Sequence, residues 1–281
     1  MALRINTNIE SINAQRNLTT STSALNKSLE KLSSGLRINR SSDDPAGMAV
    51  SEKLKAQVKG FDQAVRNAND AVSLTQTAEG ALSEVNNILV RMKELATQAS
   101  NGTLSQTDRN NVDKEFQALS SEITRISNVT EFNGTKLIDG SISGTAVSFQ
   151  IGISNTTNAR LSLTMNDLDS SALGLGASSG QITTISTVGM AQSALDQIDS
   201  AIDLITTNRG TLGALQNRLE STINSLMVSS ENAGAAQSRI RDVDFASETA
   251  IYVKNQILVK AGTSILAQAN AAPQAALSLL G

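Results

Sequence analysis

Residues 191–240 read AQSALDQIDSAIDLITTNRGTLGALQNRLESTINSLMVSSENAGAAQSRI. Stepping alternately by four and three from Ala191 gives Leu195, Ile198, Ile202, Ile205, Arg209, Leu212, Gln216, Leu219, Ile223, Leu226, Ser230, Ala233, Gln237 and Ile240. Eleven of these fifteen positions are apolar in a chain that is 40% hydrophobic, which predicts one long coiled-coil-like helix. Gly210 and Gly213 lower helix propensity and mark a possible seam within it.

A helix of that length needs a partner of similar length, and residues 45–99 supply one. Leu54, Val58, Phe61, Val65, Ala68 and Val72 keep the four-three rhythm. After a shift near Gly80, Leu82, Val85, Leu89, Met92, Ala96 and Ala99 resume it. Asp43 or Asp44 before Pro45 provides an N-cap with proline at the first helical position, and Asn101-Gly102 closes the helix. A third helix is expected over residues 105–128, with Val112, Phe116, Leu119, Ile123 and Ile126 on one face.

Both chain ends are heptad-like as well. Leu18, Leu25, Leu29, Leu32 and Leu36 form one stripe, with Ile5, Ile9 and Ile12 one position out of frame. Ile251, Leu258, Ile265, Ala272 and Leu279 recur every seven residues, interleaved with small Gly262, Ala269 and Ala276. Pro273 is expected to kink or end the last helix. In the middle of the chain the period changes to two. Val147, Phe149, Ile151 and Ile153 alternate with polar residues, as do Leu161, Leu163 and Met165, which reads as a β-hairpin. Residues 166–187 are rich in Ser, Gly, Thr and Leu and are expected to be an exposed loop with no commitment to the core. The fold class is therefore mainly α: long antiparallel coiled-coil-like helices with a small β-hairpin insert. The arrangement is palindromic, and its terminal stripes lack enough neighbours within one chain to cover them.

Composition narrows function. No His, Cys or Trp occurs in 281 residues, which removes the usual neutral-pH base, thiol nucleophiles and Cys/His zinc sites. No enzyme, cofactor or metal is expected. Asp43-Asp44 and the Asp242/Asp244 pair sit beside helix boundaries, where capping is the commoner role than Mg²⁺ binding. A net charge of −3 argues against general nucleic-acid binding, although residues 1–40 carry a local excess of +4. The uncharged stretch 261–281 is interrupted by Gln268, Asn270, Pro273 and Gln274, so no membrane span is expected there. The start of the chain lacks the apolar run of a secretory signal peptide. Asn-x-Ser/Thr triplets at Asn101, Asn133 and Asn155 are expected by chance in this composition.

Four blocks together resemble the bacterial flagellin family. They are Leu32-Ser33-Ser34-Gly35-Leu36-Arg37-Ile38-Asn39 with Asp43-Asp44-Pro45-Ala46-Gly47; Phe132-Asn133-Gly134-Thr135-Lys136-Leu137; Ser238-Arg239-Ile240-Arg241-Asp242-Val243-Asp244; and the tail from Gln256 to Gly281. The resemblance implies a minimal flagellin without outer domains. Residues 1–44 would be the N-terminal helix of an inner domain, D0, with a spoke. Residues 45–165 would be N-terminal D1 helices and hairpin, 166–187 a short variable loop, 188–243 the C-terminal D1 helix and 244–281 the C-terminal D0 helix. Inter-subunit packing would fall to Leu25, Leu29, Leu32, Leu36, Ile251, Leu258, Ile265 and Leu279, and the spoke to Gly35, Asp43, Asp44, Pro45 and Gly47. The implied partners are other copies of the chain in an extracellular helical homopolymer, a flagellar type III export apparatus with its chaperone, the filament cap and hook-associated proteins. The resemblance also implies recognition by Toll-like receptor 5 through Arg91, Leu95 and Glu115. The rival readings are a hook–filament junction protein and a chemoreceptor-like signalling coil.

Overall fold

The computed structural model describes residues 7–176 and 184–277, with side chains described as far as residue 271. Five α-helices carry the fold: α1 (Ile9–Ser34), α2 (Pro45–Ala99), α3 (Gln106–Val129), α4 (Val188–Arg241) and α5 (Phe245–Leu277). Between α3 and α4 lie two antiparallel strand pairs, β1 (Glu131–Phe132) with β2 (Thr135–Lys136) and β3 (Val147–Gln150) with β4 (Arg160–Leu163). The chain divides into two compact units, Met1–Val58 with Glu231–Gly281 and Lys59–Ser230, so that α2 and α4 contribute to both.

The core of Lys59–Ser230 is a heptad seam built largely from alanine. Along α2, Ala64, Ala68, Ala71, Thr75, Ala78, Leu82, Val85, Leu89, Met92, Ala96 and Ala99 are buried in an unbroken four-three series, with Leu74 and Leu95 buried beside it. The frame shift expected near Gly80 is absent. The large residues Val65 and Val72 flank the seam half-buried, while alanines occupy its centre, where small side chains allow helices to approach closely. On α4 the expected Ala191, Ile198, Ile205, Leu212 and Leu219 are buried, but their companions are Ala194, Ala201, Asn208 and Leu215, not Leu195, Ile202, Arg209 and Gln216. The last two instead reach Glu79 of α2: Gln216 Nε2 donates to it at 3.1 Å, and Arg209 forms an ion pair with it at 3.9 Å. Lys93 pairs with Asp199, and Ser230 Oγ donates to Asp62 at 3.1 Å, so α2 and α4 run antiparallel. Both helices are continuous through their glycines.

Helix α3 closes the bundle with Phe116 and Ile123, both fully buried. Its N-cap is Ser105, whose hydroxyl accepts the Asp108 N–H at 3.2 Å. Buried Arg109 donates to the carbonyl of Ala99 at the end of α2 and to those of Asn101 and Leu104 in the connection to α3, tying the two together. The β3–β4 register pairs Val147 with Leu163 and Phe149 with Leu161, as the alternation predicts. The hairpin docks on α2 through Asn67 Nδ2, which donates to the Gln150 carbonyl at 2.9 Å, and through Ile153 against Gly60, where any added Cβ would lie 2.7 Å from Ile153 Cγ2.

Within the stretch 166–187, the described residues 166–176 and 184–187 overturn its reading as an exposed loop, and residues 177–183 lie outside the described residues. Leu168, Leu173, Leu175 and Ile185 are buried in the core. Ser120 Oγ donates to the Leu175 carbonyl at 3.0 Å, and the Ile185 N–H donates to buried Asp113 at 2.6 Å. Four apolar residues are sufficient to anchor the segment because α3 supplies polar partners for its backbone.

Candidate assembly surface

In the unit formed by the chain ends, α1 and α5 pack against each other in antiparallel fashion. Their contact follows heptads on both sides. Glu248, Tyr252, Asn255, Val259, Gly262, Leu266 and Ala269 are the buried or half-buried positions of α5, again in strict four-three spacing. Opposite them, Ser11, Ala14, Leu18, Ser21, Leu25, Ser28 and Leu32 form the covered face of α1. An added Cβ at Gly262 would lie 3.2 Å from Leu18 Cδ1, so this glycine permits the close approach that its spacing implies. Lys31 meets the largely buried Glu248 at 3.4 Å.

The seam therefore alternates small and polar residues with half-buried Leu18, Leu25, Leu32, Tyr252, Val259 and Leu266, while a second set of large aliphatics faces away from it. Ile251 and Leu258 are each 44% exposed and Ile265 is 57% exposed. Val253 and Ile257 join them on α5, and Ile9, Ile12 and Leu29 are exposed on α1. Of the residues expected to pack between subunits, Leu29, Ile251, Leu258 and Ile265 are open. Leu25 and Leu32 differ: they lie one and two heptads beyond Leu18 and are half-buried on the intrachain face. Leu36 follows α1 and bridges the backbone of Asp242. Leu279 lies outside the described residues. Pro273 does not end the last helix, which runs on to Leu277. The sequence reading noted Ile9 and Ile12 as out of frame, which was the available sign that they serve another surface.

The connection from α1 to α2 is held by directed bonds. Gly35 ends α1 in the left-handed region, φ 72°, and its N–H donates to the Lys31 carbonyl at 2.9 Å. The Arg37 N–H donates to the Arg241 carbonyl at 2.6 Å, and the Val243 N–H to the Gly35 carbonyl at 3.0 Å. The two adjacent carboxylates divide their work. Asp44 caps α2 by accepting the Gly47 N–H at 2.9 Å. Asp43 accepts from the N–H groups of Asn39 and Arg40 and pairs with Lys27 at 2.8 Å. The bond from Lys27, then that from the Arg40 backbone, lowers its pKa to about 2. Gly47 has no room for a side chain: an added Cβ would meet Asp44 Oδ2 at 2.3 Å and Ile38 Cδ1 at 2.9 Å.

On the other unit, the structure brings Arg91 and Glu115 together. Arg91 donates to Glu115 Oε1 at 2.9 and 2.8 Å and to Glu94 at 2.8 Å, and these partners raise its pKa, Glu94 first. Leu95 is only 2% exposed. It belongs to the α2 core face beside Met92 and Ala96, so it can support a surface patch only from beneath.

Among the described residues no helix is long and apolar enough to cross a membrane. Family models of the bacterial flagellin N-terminal and C-terminal helical regions match residues 5–143 and 195–280. The chain is 48% identical to a flagellin of Halalkalibacterium halodurans, with 98% of this chain and 99% of that protein covered. It is 44% identical to a flagellin of Bacillus subtilis, covering 99% and 100%. Among solved structures, Bacillus cereus flagellin is similar at a TM-score of 0.50 and 34% identity, covering 57% of this chain and 88% of that one. A putative flagellar hook-associated protein from Vibrio parahaemolyticus shares the fold at a TM-score of 0.60 and 15% identity, covering 71% and 100%.

Proposed function

We propose, from the premise that this chain belongs to the bacterial flagellin family and is a structural subunit of the extracellular flagellar filament, that its outward aliphatic face on α1 and α5 is what binds copies of the chain together. It is not an enzyme. The observation that carries the reading is the row Ile251, Leu258 and Ile265, open to water on a helix whose other face is already occupied. A row of that kind is stabilised by burial, and in a homopolymer the natural cover is the same row on neighbouring copies. In this reading the terminal helices form the inner D0 layer, the helices of Lys59–Ser230 the surrounding D1 layer, and Gly35 to Gly47 the spoke between them. Seeding purified chain with sheared filaments tests it: filaments should elongate, and a chain that stays monomeric under seeding overturns the reading.

We propose two finer steps, which family membership supports. The subunit passes unfolded through the flagellar type III export apparatus, escorted by a chaperone, and adds beneath a filament cap on a base of hook-associated proteins. Small seam residues and the absence of disulfides suit a chain that orders only at the growing tip. Inactivating the export apparatus should retain the chain inside the cell, and secretion that continues unchanged refutes the step. Toll-like receptor 5 recognises the exposed Arg91–Glu115 pair, with Leu95 positioning α2 from below. Arg91→Ala should weaken receptor activation by monomer, and intact filament should activate less than monomer at matched mass. Equal activation by all three removes the assignment.

A further inference from the structure

Proline at position 273 withholds one hydrogen bond from α5. In an uninterrupted helix the N–H of residue 273 would donate to the carbonyl of Ala269, and proline has no N–H. The helix nevertheless continues to Leu277, and Ala269 is buried. A buried carbonyl without a donor is costly, so another donor is needed. It comes from the far end of the chain. Asn8 Nδ2 donates to the Ala269 carbonyl at 2.8 Å. The oxygen of the same amide accepts the Ser11 N–H at 3.0 Å and so caps α1. Beside it, Ser11 Oγ donates to Asn270 Oδ1 at 2.7 Å.

Asparagine is suited to this place for a chemical reason. Ser, Thr, Asp and Asn all serve as N-caps, but Asp has no donor to offer a carbonyl once it has capped, and the amide carries an acceptor and a donor on one planar group. We infer that Asn8 is a clasp between the two ends of the chain, its oxygen capping α1 while its nitrogen replaces the hydrogen bond that Pro273 denies to α5. Each helix end is then complete only when the other is in register, and the terminal turns of α1 and α5 order as one unit. Asn8 is a positioning residue, and its role exists because of Pro273.

That dependence makes a double-mutant test possible. Asn8→Asp keeps the cap and removes the donor; Pro273→Ala restores the N–H within α5. Each variant and the double variant, isotope-labelled, are doped at about one in ten into wild-type filaments, and amide exchange is read over residues 262–277 and 9–20. Asn8→Asp alone should speed exchange across 262–277 by about five- to tenfold, the effect of one lost hydrogen bond, with 9–20 following. In the Pro273→Ala background the same substitution should change exchange by about twofold or less. Failure of Asn8→Asp to enter filaments, reversed by Pro273→Ala, also supports the clasp. Equal acceleration in both backgrounds, no acceleration in the native background, or an assembly failure that Pro273→Ala does not reverse overturns it. Elongation of undoped wild-type filaments shows separately that assembly itself is intact.

Discussion

Leu258 offers a graded test of the outward face. It is 44% exposed, one heptad from Ile251 and from Ile265, while its neighbours Asn255, Val259 and Gly262 face α1. Burying a leucine side chain fully is worth about 1.5–3 kcal/mol, so covering the exposed fraction contributes roughly 0.7–1.3 kcal/mol per subunit. Leu258→Ala should therefore raise the critical concentration for polymerisation about three- to tenfold. Leu258→Arg adds an unpaired charge among aliphatic neighbours, a penalty of about several kcal/mol, and should abolish filaments at ordinary concentrations. Neither change touches the α1–α5 seam or the core of Lys59–Ser230, so the thermal unfolding of that core should be unaltered. Sedimentation of seeded polymer against total concentration gives the critical concentration directly. An arginine variant that polymerises within about twofold of wild type would refute the assignment of this face.

The anchoring of 166–187 predicts that Leu168→Ala or Leu175→Ala destabilises the Lys59–Ser230 unit by about 2–5 kcal/mol in urea unfolding; a loss below about 0.5 kcal/mol would return the segment to the class of free loops. Gly210→Ala and Gly213→Ala should each stabilise α4 by about 0.8–1 kcal/mol, since an added Cβ meets nothing within 4 Å at either position, and a lowered melting temperature contradicts this. The Asp43 carboxyl is held at about 2, below its ordinary 3.8, so its bonds contribute fully above pH 3.8 and are lost as pH falls through 2. The stability difference between wild type and Asp43→Asn should accordingly be present at pH 5 and shrink towards zero at pH 2, and a difference constant over that window would show that Asp43 does not titrate as described.

The helix boundaries were legible because their signals are local. Asp44, one of the two candidates before Pro45, caps α2, α2 stops at Ala99 just before Asn101-Gly102, and α3 starts one residue after Ser105, which caps it. The heptad frame was less so, because the reading followed large aliphatics. In α2 the frame from Ala64 to Ala78 is carried by alanine and threonine, so a stripe of half-buried valines looked like a separate phase. The β1–β2 turn was missed although its signal was present. Asn133-Gly134 occupies two successive left-handed positions, φ 49° and 78°, which an Asn-Gly pair favours in a two-residue hairpin. The described residues of 166–187 were illegible for another reason: the buried apolar side chains Leu168, Leu173, Leu175 and Ile185 follow no period, and only the docking of α3 beside them gives them a core to join.

At the chain ends, period and direction separate. A seven-residue repeat of Ile251, Leu258 and Ile265 announces a helix with a seam, but a repeat states only that some face is special. The intrachain face is the interleaved one, where Ser11, Ser21 and Ser28 on α1 and Glu248, Asn255, Gly262 and Ala269 on α5 alternate with half-buried Leu18, Leu25, Leu32, Tyr252, Val259 and Leu266. Close approach and polar matching, including Lys31 with Glu248 and Asn8 with Ala269, fix the register of the pair. They add little of the burial that offsets ordering each residue at about 1–2 kcal/mol. A second set of aliphatics, Ile251, Leu258 and Ile265 among them, is turned outward. In the proposed assembly the α1–α5 pair, its register specified within one chain, would gain further burial from neighbouring copies, which would tie the order of both chain ends to the filament.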